Sequence, residues 1–202
     1  MFKKYLLISL SLIILNYTPY AYGQSEADTT IHTDEVGLNF SLAMSGFGVG
    51  GFYRKALGSY TYLGANISFY MMRDDKEYEY YDTYYGFSVK ANDINRLFFI
   101  PLNIEFKKRL FANDIEDSFR PHILVQGGII YGMNFPKVQE LKNESEFSYN
   151  FAFGFGIDMT NKEKYFITIR PQYRIIYFSH DIAQKKNHSN FEIKLEIGGR
   201  LF

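Results

Sequence analysis

The 202-residue sequence has neither cysteine nor tryptophan. Without cysteine there can be no disulfide, no thiolate-bound metal and no cysteine nucleophile. A secreted domain of this size can fold without disulfides, so their absence leaves the compartment open. The chain also lacks an excess of either charge, with 22 Lys and Arg against 22 Asp and Glu. Binding to a phosphate backbone needs a basic surplus, so nucleic acid is excluded as a partner. After the N-terminal region no apolar run nears the ~18 residues of a membrane-crossing helix. No glycine-rich phosphate loop is present. What the chain does have is aromatic mass: 18 Tyr and 20 Phe, within a hydrophobic content of 47%. That composition argues against disorder and suffices for one domain with a sizeable core.

The N-terminus reads as an export signal. Lys3 and Lys4 precede an apolar stretch over residues 5–15, and Ala21-Tyr22-Gly23 offers small residues at a cleavage site. Residues 1–23 are expected to be a signal peptide cut before Gln24. The apolar stretch is too short for a spanning anchor, which needs about 20 residues. No cysteine follows the cut, which removes the lipoprotein option. Residues 24–35 are polar and are expected to form a flexible tail. Residues 36–202 are expected to form the folded domain.

From Val36 onward the chain alternates with period two, which marks strands with two unlike faces. In the segment 147–158, Phe147, Tyr149, Phe151, Phe153, Phe155 and Ile157 share one face. Ser148, Asn150, Ala152, Gly154, Gly156 and Asp158 share the other. A helix would scatter those aromatics around its circumference. Seven further segments read the same way: 36–44, 47–55, 60–71, 96–107, 120–133, 165–178 and 190–201. Short and longer connections alternate between them, as in an outer-membrane barrel. The connection at Ser45-Gly46 is the exception, very short where a loop is expected. The fold class is therefore all-β: an eight-stranded antiparallel up-and-down transmembrane β-barrel.

The polar face decides which side is outside. It carries mostly Gly, Ala, Ser and Asn, which suit the crowded interior of an eight-stranded barrel. The bulky Phe, Ile, Leu and Tyr face suits lipid. A soluble lipocalin-like barrel binding an apolar ligand would need the opposite arrangement. The inward face then holds Arg54, Glu105, Lys107, His122, Asp158, Arg170, Arg174, Glu192, Lys194 and Glu196. Both signs are present, so a mutually neutralising plug centred on Arg170 and Arg174 is expected, with a proton or ion path as the alternative. An eight-stranded barrel has no room for an open aqueous channel.

Several segments resemble the outer-membrane β-barrel family common in Bacteroidota, the PorT-like or "porin family" proteins. Ile100-Pro101-Leu102 opens the stretch RLFFIPLNIEFKK. Pro121, Gly127, Gly128 and Gly132 punctuate RPHILVQGGIIYGM. FAFGFGIDM is then followed by ITIRPQYRIIY. The resemblance spans nearly all of the chain after the tail. It implies the barrel fold, an outer-membrane location, contact with outer-membrane lipid and insertion by the barrel assembly machinery. Some members resemble a component of gliding or type IX secretion. The family supplies no catalytic set. A terminal aromatic serves as an assembly signal in such barrels; here Phe202 falls one residue out of the outward phase, which a bulge at Gly198-Gly199 would correct.

Two candidate sites lie in connections. Residues 72–95 carry Tyr78, Tyr80, Tyr81, Tyr84 and Tyr85 among Asp74, Asp75, Glu77, Glu79 and Asp82. Tyrosine is amphipathic and low in side-chain entropy, which favours recognition of an external ligand or protein. The alternatives are a solvated loop lending tyrosines to the membrane interface, or a calcium site, although the spacing matches no calcium loop. Ser179, His180 and Asp181, with His188 nearby, are the only grouping suggestive of a rim enzyme. Adjacent strand residues point apart, so the expectation is no enzyme, no cofactor and no metal.

Overall fold

The computed structural model describes residues 33–58, 60–74, 76–84, 86–91, 94–111, 119–138, 140–161 and 164–201. The expected signal peptide, most of the expected tail, Tyr85 and Phe202 lie outside these.

The period-two segments become β1 (Asp34–Ala43), β2 (Gly46–Gly58), β3 (Thr61–Met72), β6 (Leu97–Arg109), β7 (Phe119–Asn134), β8 (Glu144–Asn161), β9 (Tyr165–Ile182) and β11 (Asn190–Leu201). Each pairs antiparallel with its neighbours, and β11 pairs with β1 on one side and β9 on the other. The sheet therefore closes on itself with no edge. Closure satisfies the strand hydrogen bonds internally, the condition for a β-structure in hydrocarbon. Two gaps in the ladders, between β3 and β6 and between β8 and β9, fall at Pro101 and Pro171. Proline has no N–H to give there.

The strands are tilted. Hydrogen-bonded neighbours followed round from Glu35 pass through Arg54, Gly64, Glu105, Gln126, Ala152 and Arg174 to Asn190. Asn190 sits beyond Glu192, the partner of Ala43, so one circuit climbs the full length of β1. That stagger is what closing a small barrel requires.

Connections at one end are residues 59–60, 110–118 and 162–164; this is the turn end. The loop end carries residues 73–96, 135–143 and 183–189, together with the two-residue turn Met44-Ser45. The short first connection is thus a tight hairpin. Within the connection after β3, β4 (Tyr78–Asp82) and β5 (Phe87–Ala91) pair as a separate two-stranded ribbon, where the sequence suggested only a loop. The short β10 (Lys185–Asn187) folds back on the end of β9.

The strand faces fall as the alternation predicts. Outward positions such as Leu38, Phe40, Ile67, Phe69, Ile104, Phe151, Phe153, Ile167 and Ile193 are exposed. Outward rings also pair across strands: Phe69 stacks on Phe98 at 5.6 Å and Tyr131 meets Phe147 at 4.5 Å. In water so much apolar surface would drive aggregation; against acyl chains it is the favoured surface.

Three expectations change. β1 begins at Asp34, inside the expected tail. Asp34 accepts bonds from the Tyr53 hydroxyl at 2.5 Å and the Ala56 N–H at 3.0 Å, and Glu35 is fully buried. The bulge at Gly198-Gly199 that would bring Phe202 into the outward phase does not form: register runs unbroken from Ile197 to Leu201. The interior is also not uniformly small and polar. At the loop end, Tyr70, Met72, Leu97, Phe99, Ile130, Ile176, Phe178 and Ile182 form a buried apolar cluster. Inward glycines make room for these rings: a Cβ on Gly132 would lie 2.6 Å from Phe178, and one on Gly48 2.7 Å from Tyr70.

Candidate functional site

Below the apolar cluster the interior is charged. Six buried cations, Arg54, Lys107, Arg109, Arg170, Arg174 and Lys194, face five buried carboxylates, Glu35, Glu105, Asp158, Glu192 and Glu196. The strands bring them together because inward positions of neighbouring strands share a level. Arg54 on β2 reaches three strands at once: Glu105 at 2.6 Å, Glu196 at 2.8 Å and Glu35 at 3.3 Å. Arg170 shares Glu196 at 2.7 Å. Nearer the turn end, Lys107 and Arg109 both bridge Glu35 and Asp158, at 2.6–3.1 Å. Asp158 also accepts from Thr168 at 2.6 Å and lies 3.2 Å from His122 Nδ1.

Nearer the loop end, Arg174 pairs with Glu192 at 2.9 Å and also donates to Asn150 and the Tyr70 hydroxyl. Gln172 donates to the same Glu192 oxygen. Lys194 is fully buried, and its ammonium has no hydrogen-bond partner among the described residues. Every inward charge read from the sequence faces the interior. Two members escaped that reading. Glu35 lies in the stretch read as a tail, and Arg109 lies two residues beyond the segment read as 96–107. Continuing the alternation two residues further each way would have found both. Arg170 and Arg174 do not form a single centre: they use different carboxylates of β11, and Arg54 pairs with three carboxylates, Glu35, Glu105 and Glu196.

The loop end is built differently. Residues 183–189 fold inward, placing Ile182 and Ala183 in the apolar cluster. The His188 ring packs edge-on against Phe99 at 5.1 Å and Phe178 at 5.6 Å, with Nε2 against the carbonyls of Lys185 and Ile182. Two carboxylates of β8 strap this segment down. Glu144 accepts from the Ala183 N–H at 2.7 Å, and Glu146 accepts from the His180 N–H at 3.0 Å. Ala183 and Gln184 both hold positive φ, 53° and 60°, as the two central residues of a tight hairpin. Above the cluster a cavity of about 510 Å³ opens at the mouth.

The rim residues do not assemble a catalytic group. The His180 side chain is 88% exposed with Nδ1 on Glu146 at 3.1 Å, whereas His188 is buried under its loop. The two rings occupy separate environments. Among the described residues no three His, Asp or Glu converge as a metal site. Tyr78, Tyr80, Tyr81 and Tyr84 are 59%, 47%, 63% and 87% exposed on the ribbon, and Tyr78 and Tyr80 rings lie 6.2 Å apart. Tyr85 lies outside the described residues.

An apolar outer surface round a closed, charge-filled interior defines the class of small transmembrane β-barrels. The fold is that of the small outer-membrane barrels. Neisserial surface protein A aligns with a TM-score of 0.52 and 11% identity over 84% of this chain and 95% of its own. The N-terminal β-barrel domain of Pseudomonas aeruginosa OprF aligns with a TM-score of 0.50 and 10% identity, over 84% and 98%. At these identities the likeness is one of fold alone. No protein-family model matches the chain, and no curated protein matches it in sequence.

Proposed function

We propose that this protein is a non-enzymatic integral outer-membrane barrel that does not conduct, and that its β4–β5 ribbon is a recognition surface for an external ligand or protein. The observation that carries the reading is the ribbon itself. It places at least four tyrosines in solvent beyond the barrel, where they add nothing to the barrel's core, and large rigid amphipathic side chains are what binding loops use. Support for the closed interior comes from the buried ion pairs, which span the lumen from β1 to β6, β8 and β11, and from the inward-folded loop above them. The ordered motifs around Ile100-Pro101-Leu102 and Gly127-Gly128 favour a PorT-like, Bacteroidota-type envelope component over other small barrels.

Three measurements test this. A folded barrel in the outer-membrane fraction should run faster on an SDS gel unheated than boiled; a protein found in the aqueous fraction without such a shift counts against membrane insertion. In planar bilayers the purified protein should give no stepwise conductance, and reproducible steps would reject the closed interior. Outer-membrane vesicles displaying the protein should bind to a glycan or matrix-protein array, and Y78S/Y80S/Y81S/Y84S should abolish the signal. Binding retained by that variant, or absent in the wild type, overturns the ribbon's role.

A further inference from the structure

The ribbon has a second property besides its tyrosines, which is its open edges. β4 and β5 pair with each other, and among the described residues neither pairs with a third strand. Each therefore carries a row of backbone N–H and C=O groups outside any ladder. Natural edges are blunted by proline, by a bulge or by a covering segment. Here both strands lack proline and glycine, and their register runs without a shift. The ribbon also has unlike faces. Tyr78 and Tyr80 share one face with Phe87 and with Val89, the partner of Tyr80, while Tyr81 and Ser88 pair on the other. Tyr78, Tyr80 and Phe87 are all exposed, so the barrel does not cover the aromatic face. A two-stranded ribbon is marginal by itself, and a third strand is what gives such a sheet independent stability. The edge next to β4 is also acidic: residues 74–82 hold five Asp and Glu against one Lys.

We infer that β4 receives an extended, basic segment of another protein as a third strand. This rests on the reading of the ribbon as a recognition surface and names the partner and the mode of contact. In strand addition the backbone edge supplies affinity and alternate side chains supply specificity. Apolar side chains of the added strand cover Tyr78 and Tyr80. The basic side chains between them meet the acidic flank of β4. A second copy of this chain fits less well, because two β4 edges laid side by side set like charges opposite one another. A glycan would use the tyrosine rings and leave the backbone edge unpaired.

The test titrates the full chain, in phosphatidylcholine nanodiscs, against the fluorescent peptide Val-Lys-Val-Arg-Val-Lys-Val and follows anisotropy, with empty discs as reference. Saturable binding is expected, and the same peptide with Glu in place of Lys and Arg should bind roughly ten-fold less well or worse. Two N-methylated peptides then probe the edge, one methylated at the valines and one at the basic residues. An added strand turns only alternate N–H groups toward its neighbour. One methylated set should therefore lose roughly ten-fold or more, and the other should bind nearly as the parent does. Replacing residues 77–91 by a Gly-Ser linker should abolish binding and keep the heat-dependent gel shift of the barrel. The inference is overturned if the basic peptide does not bind, if the acidic peptide binds as well, if both methylated peptides bind like the parent, or if the linker variant still binds. Failure here is distinct from failure of the ribbon's recognition role. If the array signal depends on the tyrosines but the peptide does not bind, the ribbon recognises something other than a basic strand; if the array signal itself is absent, the recognition role falls.

Discussion

The two halves of the barrel interior fill the same inward positions with opposite chemistry. From mid-height to the turn end, charges fill the lumen, and each of Arg54, Lys107 and Arg109 meets carboxylates from at least two other strands. At the loop end, Phe99, Ile130, Ile176 and Phe178 fill it by contact alone. An apolar cluster tolerates small shifts, because dispersion and burial are non-directional. An ion-pair lattice does not. A register slip of one residue on β1, β2, β6, β8, β9 or β11 would turn its inward charge to lipid. The charged half thus adds to the register already set by the short connections of the turn end, and the apolar half seals the end from which the longer loops depart.

Breaking one partner in the charged half should cost most. Glu196 serves both Arg54 and Arg170. E196L leaves two guanidinium groups competing for what remains, and uncompensated buried charge costs about 3–5 kcal/mol. Urea unfolding of the barrel in lipid vesicles, followed by circular dichroism, checks this. A loss below ~1 kcal/mol would mean that the lattice is solvated and the contrast between the halves false. Adding R54L to E196L should recover part of the loss, because the two sites interact and are not additive.

The apolar half should be nearly as sensitive but in a different way. F178A removes a fully buried ring lying against Phe99, His188 and Gly132, and should cost about 3 kcal/mol by lost burial and the remaining cavity. F178L should recover most of that loss, as volume-conserving apolar swaps cost under ~1.5 kcal/mol. No conservative charge swap should rescue E196L so well. If F178L is as damaging as F178A, ring geometry rather than apolar filling holds this end together.

The difference between the halves also governs what could be read from the sequence. The charged half was legible because its alternation is sharp: Phe191, Ile193 and Leu195 outward against Glu192, Lys194 and Glu196 inward. The apolar half was not. There the inward residues are as apolar as their outward neighbours, as in Phe98-Phe99, Ile129-Ile130, Ile175-Ile176 and Tyr177-Phe178. When both faces are apolar the period-two signal vanishes, and what remains is a continuous apolar run. The ribbon was hidden for another reason. Its strands are only five residues each, too short for a period to stand out, so their pairing with each other is what shows them to be strands.

A smaller effect of opposite sign is expected at the mouth. Gln184 adopts φ 60° at the second position of the tight turn between β9 and β10, where glycine is the unstrained residue. Its side chain is exposed and accepts from Lys76 at 2.9 Å, a surface contact worth little. Q184G should therefore stabilise the fold by up to ~1 kcal/mol. The same vesicle unfolding experiment reads it, and a destabilised variant would show that the Lys76 contact matters more than the backbone strain.

The smallest effect belongs to the ribbon, and it is the most informative about function. Y78S/Y80S/Y81S/Y84S changes four large side chains, yet each is exposed on a two-stranded sheet separate from the barrel. Exposed positions away from packing usually shift stability by no more than ~0.5 kcal/mol. The quadruple variant should therefore unfold at nearly the wild-type urea midpoint, while a single change at Glu196 or Phe178 moves it far. That outcome is what the proposed recognition role requires: large side chains that the barrel does not need for stability and that face outward. If instead the midpoint falls as far as for F178A, the tyrosines pack on the barrel in the membrane, and the ribbon is part of the fold rather than a surface it presents.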